Sequence, residues 1–219
     1  MDNLIEVQHI SIAYGNKSLF KDFSFSIKKG NFVALTGNNG SGKSTLIKAI
    51  LEIISYSGQI VRNTDSIGYL PQSYSIDRSF PITVEEFINL VSNNNKTVKP
   101  SRRIEKYLTD VFKELQIEEL KQKYLSELSQ GQFQKVLFAR SIVNNPEFLI
   151  QDEPLSNIDE ETAVFLKNYL IDLNKKGVTI LLSIHDSKFV SETCHQILSL
   201  ASKESTIVDP CFHNHGGNS

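Results

Sequence analysis

Apolar and polar positions alternate through the opening of the chain. In IEVQHISIAY and FKDFSFSI the apolar side chains fall at every second position, which predicts the strands of a small antiparallel sheet. NFVALTG breaks that rhythm with an unbroken apolar run, the pattern of a strand buried on both faces, and leads straight into glycines. Helical spacing takes over from about Lys43 to Ile54, followed by short strand patterns at GQIVR and SIGYLPQ. From Ser73 to about Glu127 the apolar residues again recur at helical intervals, in ITVEEFINLV and RRIEKYLTDVFKELQI, with the polar joint SNNNKTVKPS between them. The parallel-type texture then returns as strand FLIQDE, helix ETAVFLKNYLIDLNKKG with Gly177 at its end, strand VTILLSIH and helix SKFVSETC.

This order predicts one α/β domain over 1–219, its core formed by 1–72 and 128–209 and interrupted by a helical insert at 73–127. The composition, 40% apolar and 22% charged with a net charge of -2, is that of an ordinary globular protein. The balance of 23 basic and 25 acidic side chains exerts no long-range pull on polyanions, so nucleic acid is not indicated as a partner. No apolar run approaches the roughly 20 residues that span a bilayer, and MDNLIEVQ has neither a basic leader nor an apolar signal core. The expectation is a cytosolic chain. Cys194 and Cys211 could make at most one bridge and suggest no disulfide framework. The tail, 210–219, offers Cys211, His213 and His215 to a metal, but alternate-residue histidines without a fourth ligand make a poor zinc site. A short glycine-rich terminus is read as disordered.

Chemistry concentrates first in GNNGSGKST, where Gly37, Asn38, Asn39, Gly40, Ser41, Gly42, Lys43, Ser44 and Thr45 join the apolar strand to the helix. Glycines let consecutive backbone N–H groups turn inward around an anion, and the following helix points its positive end at the same place. Lys43 reaches the terminal phosphates, Ser44 offers its hydroxyl to Mg2+, and Thr45 is free to bond an inner phosphate. In FLIQDEP, Asp152 stands where a strand-end carboxylate holds Mg2+ directly or through water. Glu153 follows immediately. If the chain turns at the strand end, both carboxylates face the nucleotide and Glu153 is free to polarise water. A third element, LSQGQFQKVLFARSIV, predicts a helix whose first turn carries Ser129, Gln130 and Gly131, a second anion-binding helix end. A chain with one phosphate cradle has no use for another on its own nucleotide. The second therefore suits the nucleotide of a neighbouring copy.

The ordered set of motifs resembles the ABC ATPase family over nearly the whole chain. LSQGQ is similar to the family signature, usually LSGGQ, and Tyr14 to the aromatic residue that stacks on adenine. GNNGSGKST resembles the Walker A loop, Gln72 in YLPQ the Q-loop residue, FLIQDEP the Walker B strand, SNID (Ser156 to Asp159) the D-loop, and His185 in LLSIHD the switch histidine. Two residues depart from the pattern: Gln130 replaces the first signature glycine, and Gln151 puts an amide in a normally apolar strand.

The resemblance implies a P-loop NTPase core of mostly parallel sheet, with an N-terminal antiparallel β subdomain and an inserted helical subdomain. It implies ATP and Mg2+ as cofactors and a head-to-tail pair of ATPases. Each ATP would lie between Lys43, Ser44 and Asp152 of one copy and Ser129, Gly131 and Gln132 of the other. In that scheme Glu153 is the base or water-orienting carboxylate, His185 contacts the terminal phosphate, and Gln72 senses Mg2+ and the attacking water. Adenine is favoured because no guanine-reading segment appears, NKKG at Asn174 lacking its aspartate. A lone ATPase unit looks like the separate subunit of a transporter, peripheral on the cytoplasmic face of the membrane. Its partners would be an integral membrane permease and a solute-binding protein. YLPQSYSIDRSFPITVEEFI resembles the corresponding segment of zinc, manganese and iron-chelate importers, although a helix capped at Thr83 after Pro81 explains the same residues without a cargo. The alternative function is a soluble ATPase, or an ATP-binding regulatory module, that is not coupled to transport.

Overall fold

A computed structural model describes residues 2–14, 17–72, 77–92, 102–201 and 206–208. Two sheets form. Strands β1 (Asn3–Tyr14) and β2 (Lys17–Lys28) pair antiparallel, and β4 (Ser57–Arg62) joins the other side of β1. The larger sheet has the order β5-β6-β7-β3-β8-β9. In it β3 (Phe32–Thr36), β5 (Ile67–Leu70), β6 (Phe148–Asp152), β7 (Thr179–Ser183) and β8 (Gln196–Ser199) run parallel, and β9 (Thr206–Val208) pairs antiparallel with β8.

The unbroken apolar run of β3 has a direct cause in the layering. Phe32 and Ala34 belong to one buried cluster, and Val33 and Leu35 to a second on the opposite face of the sheet. The second cluster is closed by the small antiparallel sheet and α1 (Lys43–Ile50). The first is closed by α2 (Val84–Ser92), α3 (Arg102–Glu114), α4 (Gln130–Ile142), α5 (Glu160–Lys175) and α6 (Ser187–Thr193). Parallel strands covered on both sides cannot show polar alternation. Each fully buried Phe or Leu here contributes about 1.5–3 kcal/mol by leaving water.

The inserted helices are fastened to the core by polar contacts as well as apolar ones. Tyr169 on α5 donates to Glu114 Oε2 at 2.7 Å, and Tyr107 on α3 donates to the carbonyl of Ile142 at 3.0 Å. Burial raises the Tyr107 hydroxyl to about 12, and the charge of Glu114 adds to the effect. α2 begins with a reciprocal cap. Thr83 N and Thr83 Oγ1 each lie 2.9 Å from Glu86 Oε2, and Glu86 N donates back to Thr83 Oγ1 at 3.3 Å.

The structure corrects one boundary. The first helix ends at Ile50, four residues before the sequence pattern suggests, because Glu52 takes a left-handed φ of 56° and Ile53 N turns back to Lys48 O at 2.8 Å. Strands β8 and β9 carry no distinctive pattern; QILS is too short for its periodicity to separate strand from helix. The first helix of the insert starts at Val84, directly after the Thr83 cap that the sequence offers. The joint SNNNKTVKPS after Ser92 and the tail with Cys211, His213 and His215 lie outside the described residues.

Candidate active site

The carboxyl ends of β3, β5, β6 and β7 meet at one edge of the sheet, the place where open α/β sheets gather ligands. The loop from Gly37 leaves β3 there and enters α1 through Gly42, whose φ is 104°. A β-carbon at Gly42 would lie 2.8 Å from the ring of Phe20, so both backbone and space demand glycine. Asn38, Asn39 and Gly40 are exposed at the tip, and Ser41 N donates to Asn38 O at 3.0 Å to close the turn. Thr45 is half-buried.

Lys43 is 5% exposed and its ammonium sits inside this loop, donating to Gly37 O at 2.9 Å. It also lies 3.3 Å from Glu153 Oε1 and 3.5 Å from His185 Nε2. Glu153 holds the centre of the cluster. It follows the last residue of β6 with a left-handed φ of 50°, a strained conformation for a residue other than glycine and one that clusters at functional sites. That turn swings its carboxylate toward the side on which Lys43 lies. Gln72, just beyond β5, donates to Glu153 Oε2 at 2.8 Å, and His185 Nε2 lies 3.4 Å from Oε1. Ser44 completes the set, its hydroxyl 3.4 Å from Gln72 Oε1.

Asp152 ends β6 and is 1% exposed. Its Oδ1 has no hydrogen-bond partner, nor has Oγ of Ser183, the residue opposite it on β7. Burial holds the Asp152 carboxyl above its ordinary range, with the negative charge of Glu153 adding to the effect. The nearby hydroxyls of Ser44 and Ser183 and the charge of Lys43 oppose the shift without completing a hydrogen bond to Oδ1. A buried carboxylate oxygen without a partner is costly unless a cation meets it. With the Ser44 hydroxyl and the Gln72 amide oxygen it makes an all-oxygen donor set, the chemistry Mg2+ requires when phosphates and waters supply its other ligands. The residues present fit that ion.

The signature segment is placed apart from this cluster. Ser129 is the N-cap of α4, its Oγ accepting from Gln132 N at 3.2 Å while Gln132 Oε1 accepts from Ser129 N at 3.0 Å. Gln132 is thus engaged in a capping box with Ser129. Gly131 is required for a second reason: a β-carbon there would lie 2.8 Å from Thr162 Oγ1 and 2.9 Å from Asp159 Oδ2, the N-cap pair of α5. Tyr14 closes β1 opposite Lys17, its side chain lying outside the described residues. Asn174, read above for its missing guanine-binding partner, donates to Gly30 O and Val178 O and seals the end of α5. The sequence reading missed Ser183 and Arg78. Ser183 stands two residues before His185 and could have been found only by knowing that β7 separates β3 from β6.

A strand, phosphate loop and helix beside two strand-end carboxylates define a P-loop nucleotide hydrolase. Residues 20–156 match the family model described as ABC transporter. The chain belongs to the ABC transporter family. It is an ATP-binding, ATP-hydrolysing subunit that works in a transporter complex with a membrane permease. Among the described residues no helix is long and apolar enough to cross a membrane. The chain is 34% identical over 204 residues to the zinc import ATP-binding protein ZnuC of Hydrogenovibrio crunogenus, covering 90% of this chain and 78% of that protein. It is 31% identical to ZnuC of Mannheimia succiniciproducens, covering 95% and 80%. Among solved structures it is similar to a metal-chelate type ABC transporter in an inward-facing conformation, with a TM-score of 0.84 at 26% identity over 96% of this chain and 84% of that one. It is also similar to CbiO1 of Clostridium perfringens, part of the ABC transporter complex CbiONQ, with a TM-score of 0.81 at 26% identity over 96% and 90%.

Proposed function

We propose that this chain hydrolyses ATP at the cytoplasmic face of a membrane, paired head to tail with a second copy. The work done is import of a metal ion or metal chelate, through the permease and supplied by a solute-binding protein. Zinc is the favoured cargo because the relatives are named for it, and the segment from Tyr69 to Ile88 resembles that of zinc, manganese and iron-chelate importers. One observation carries the catalytic reading: Lys43, Gln72 and His185 all converge on the single carboxylate of Glu153.

Within this scheme, ATP binding draws Lys43 from Glu153 to the β- and γ-phosphates, where its charge is better matched. Glu153, released from the ammonium but still held by Gln72, accepts a proton from the attacking water or orients it. His185 contacts the γ-phosphate. Mg2+, held by Ser44, Asp152 and Gln72, would neutralise charge on the phosphates. Ser129, Gly131 and Gln132 of one copy close on the nucleotide of the other, which the Ser129 helix end favours through its N–H groups and dipole. Positioning and charge stabilisation supply most of the catalytic gain.

The test is to isolate the native complex, rebuild it in vesicles and measure ATP-driven zinc accumulation. The proposal expects uptake that stops with Glu153→Gln. Hydrolysis that proceeds normally while zinc and its chelates are left outside would contradict the cargo, and absence of a permease from the isolated complex would contradict the coupling.

A further inference from the structure

We propose that Arg78 is a positioning residue for hydrolysis: a clasp that fixes the Ser129 helix end against the turn from Asp77 to Phe80. Its consequence for catalysis rests on the head-to-tail reading above; its geometry does not.

Arg78 is aimed by a tight turn. Asp77 Oδ1 accepts from Ser79 N at 2.9 Å and from Ser79 Oγ at 2.6 Å, and Phe80 N donates to Asp77 O at 3.1 Å. From there the guanidinium reaches across to the end of the insert. Nε donates to Leu125 O at 3.2 Å, Nη2 donates to Leu128 O, and Cζ lies 4.7 Å from the ring centre of Phe133. Leu128 immediately precedes the Ser129 cap, and Phe133 stands in the opening turns of α4. Three contacts from one rigid cation therefore hold the segment on both sides of Ser129.

The same helix is tied to the hydrolytic centre from its other flank. Gln134 Nε2 donates to Pro154 O at 2.6 Å, one residue past Glu153, and Gln72 closes the circuit by donating to Glu153. Arg78 lies six residues beyond Gln72 in the chain. Arg78 thus bears on the helix end assigned to the neighbouring copy, while Gln134 ties the same helix to the backbone beside Glu153. The backbone carbonyls and the flat ring call for arginine. A lysine ammonium has neither the fork to reach two carbonyls nor the plane to stack.

The experiment compares the full chain with Arg78→Ala and Arg78→Lys. Affinity for a fluorescent ATP analogue at the Lys43 loop is expected to change by less than about twofold in both, since no group there is touched. Turnover of the assembled transporter is expected to fall roughly tenfold or more, in kcat rather than KM, without rescue by lysine. Amide exchange across 128–132 is expected to accelerate about tenfold while exchange across 37–45 stays at the parent rate. Parent-like exchange at 128–132 overturns the inference, as does parent-like kcat. A uniform rise in exchange over the whole chain also overturns it, because Arg78 would then merely stabilise the fold. Pairing is scored separately in the Glu153→Gln background: if that chain stays single with ATP, the head-to-tail reading falls, and the exchange measurement still decides the clasp.

Discussion

The Lys43 ammonium and the Glu153 carboxylate lie 3.3 Å apart, 5% and 13% exposed respectively, so two nearly buried opposite charges satisfy each other. In the proposed mechanism, nucleotide binding exchanges this pair for a lysine–phosphate contact. Lys43→Ala removes the phosphate contact and leaves Glu153 without its cation. Charge-assisted hydrogen bonds contribute about 1.5–3 kcal/mol, so affinity for ATP is expected to fall by roughly ten- to a hundredfold. Titration of a fluorescent ATP analogue measures this, and parent affinity would remove the loop assignment.

Glu153→Gln retains the shape of the side chain and one acceptor oxygen, but gives up the basic oxygen and the charge. Binding of ATP is expected to persist while turnover drops by about a hundredfold or more, the range for loss of a proton-transfer group. Single-turnover hydrolysis separates the two. A near-normal chemical step in the variant would refute the role.

Asp152 combines full burial with an unpartnered oxygen. Its carboxyl is raised in the folded chain, so folding binds a proton more readily than the unfolded state does. Stability is therefore lost as pH rises from the ordinary value of 3.8 through the raised one. Asp152→Asn is expected to raise the melting temperature of the nucleotide-free chain at neutral pH, with the gain vanishing in acid. The same change is expected to abolish Mg2+-dependent protection by ATP. A variant that melts lower at neutral pH than the parent would contradict the account.

Gln151 is 0% exposed, its Nε2 donating to Ser141 Oγ at 2.9 Å and its Oε1 without a partner. Ser141 Oγ separately donates to Phe138 O at 2.7 Å and so keeps a partner without the amide. Gln151→Leu removes an orphaned acceptor and is expected to stabilise the chain by about 1 kcal/mol, a rise of roughly 2–4 °C in Tm. Calorimetry checks it. A loss of stability would mean that the amide contributes more than its orphaned oxygen costs.

Much of this site was legible in the residues themselves. The strand, glycine loop and helix around Lys43, the strand-end carboxylates at Asp152 and Glu153 and the helix beginning beside Ser129 each announce a local conformation through short-range rules. The turn at Glu153 could be anticipated as a need but not as a left-handed φ, since nothing in a glutamate signals that backbone state. Convergence was less legible. That Gln72 would donate to Glu153 depends on β5 lying beside β6, and that Asp152 would face Ser183 depends on β7 lying next to it, facts of topology that no local pattern encodes. Arg78 was hidden for the same reason, its partners lying about fifty residues away across the insert.

The central claim is that each hydrolytic chamber is completed by a neighbouring copy, because Ser129 and Lys43 mark two anion-binding helix ends that serve different nucleotides. It is tested most directly by measuring the mass of the Glu153→Gln chain in solution with Mg2+ and ATP, with and without Ser129→Arg, which fills the second helix end. The account predicts a particle of twice the single-chain mass that reverts to one chain when arginine is introduced. A single-chain particle with ATP fully bound, or a pair indifferent to Ser129→Arg, would contradict it.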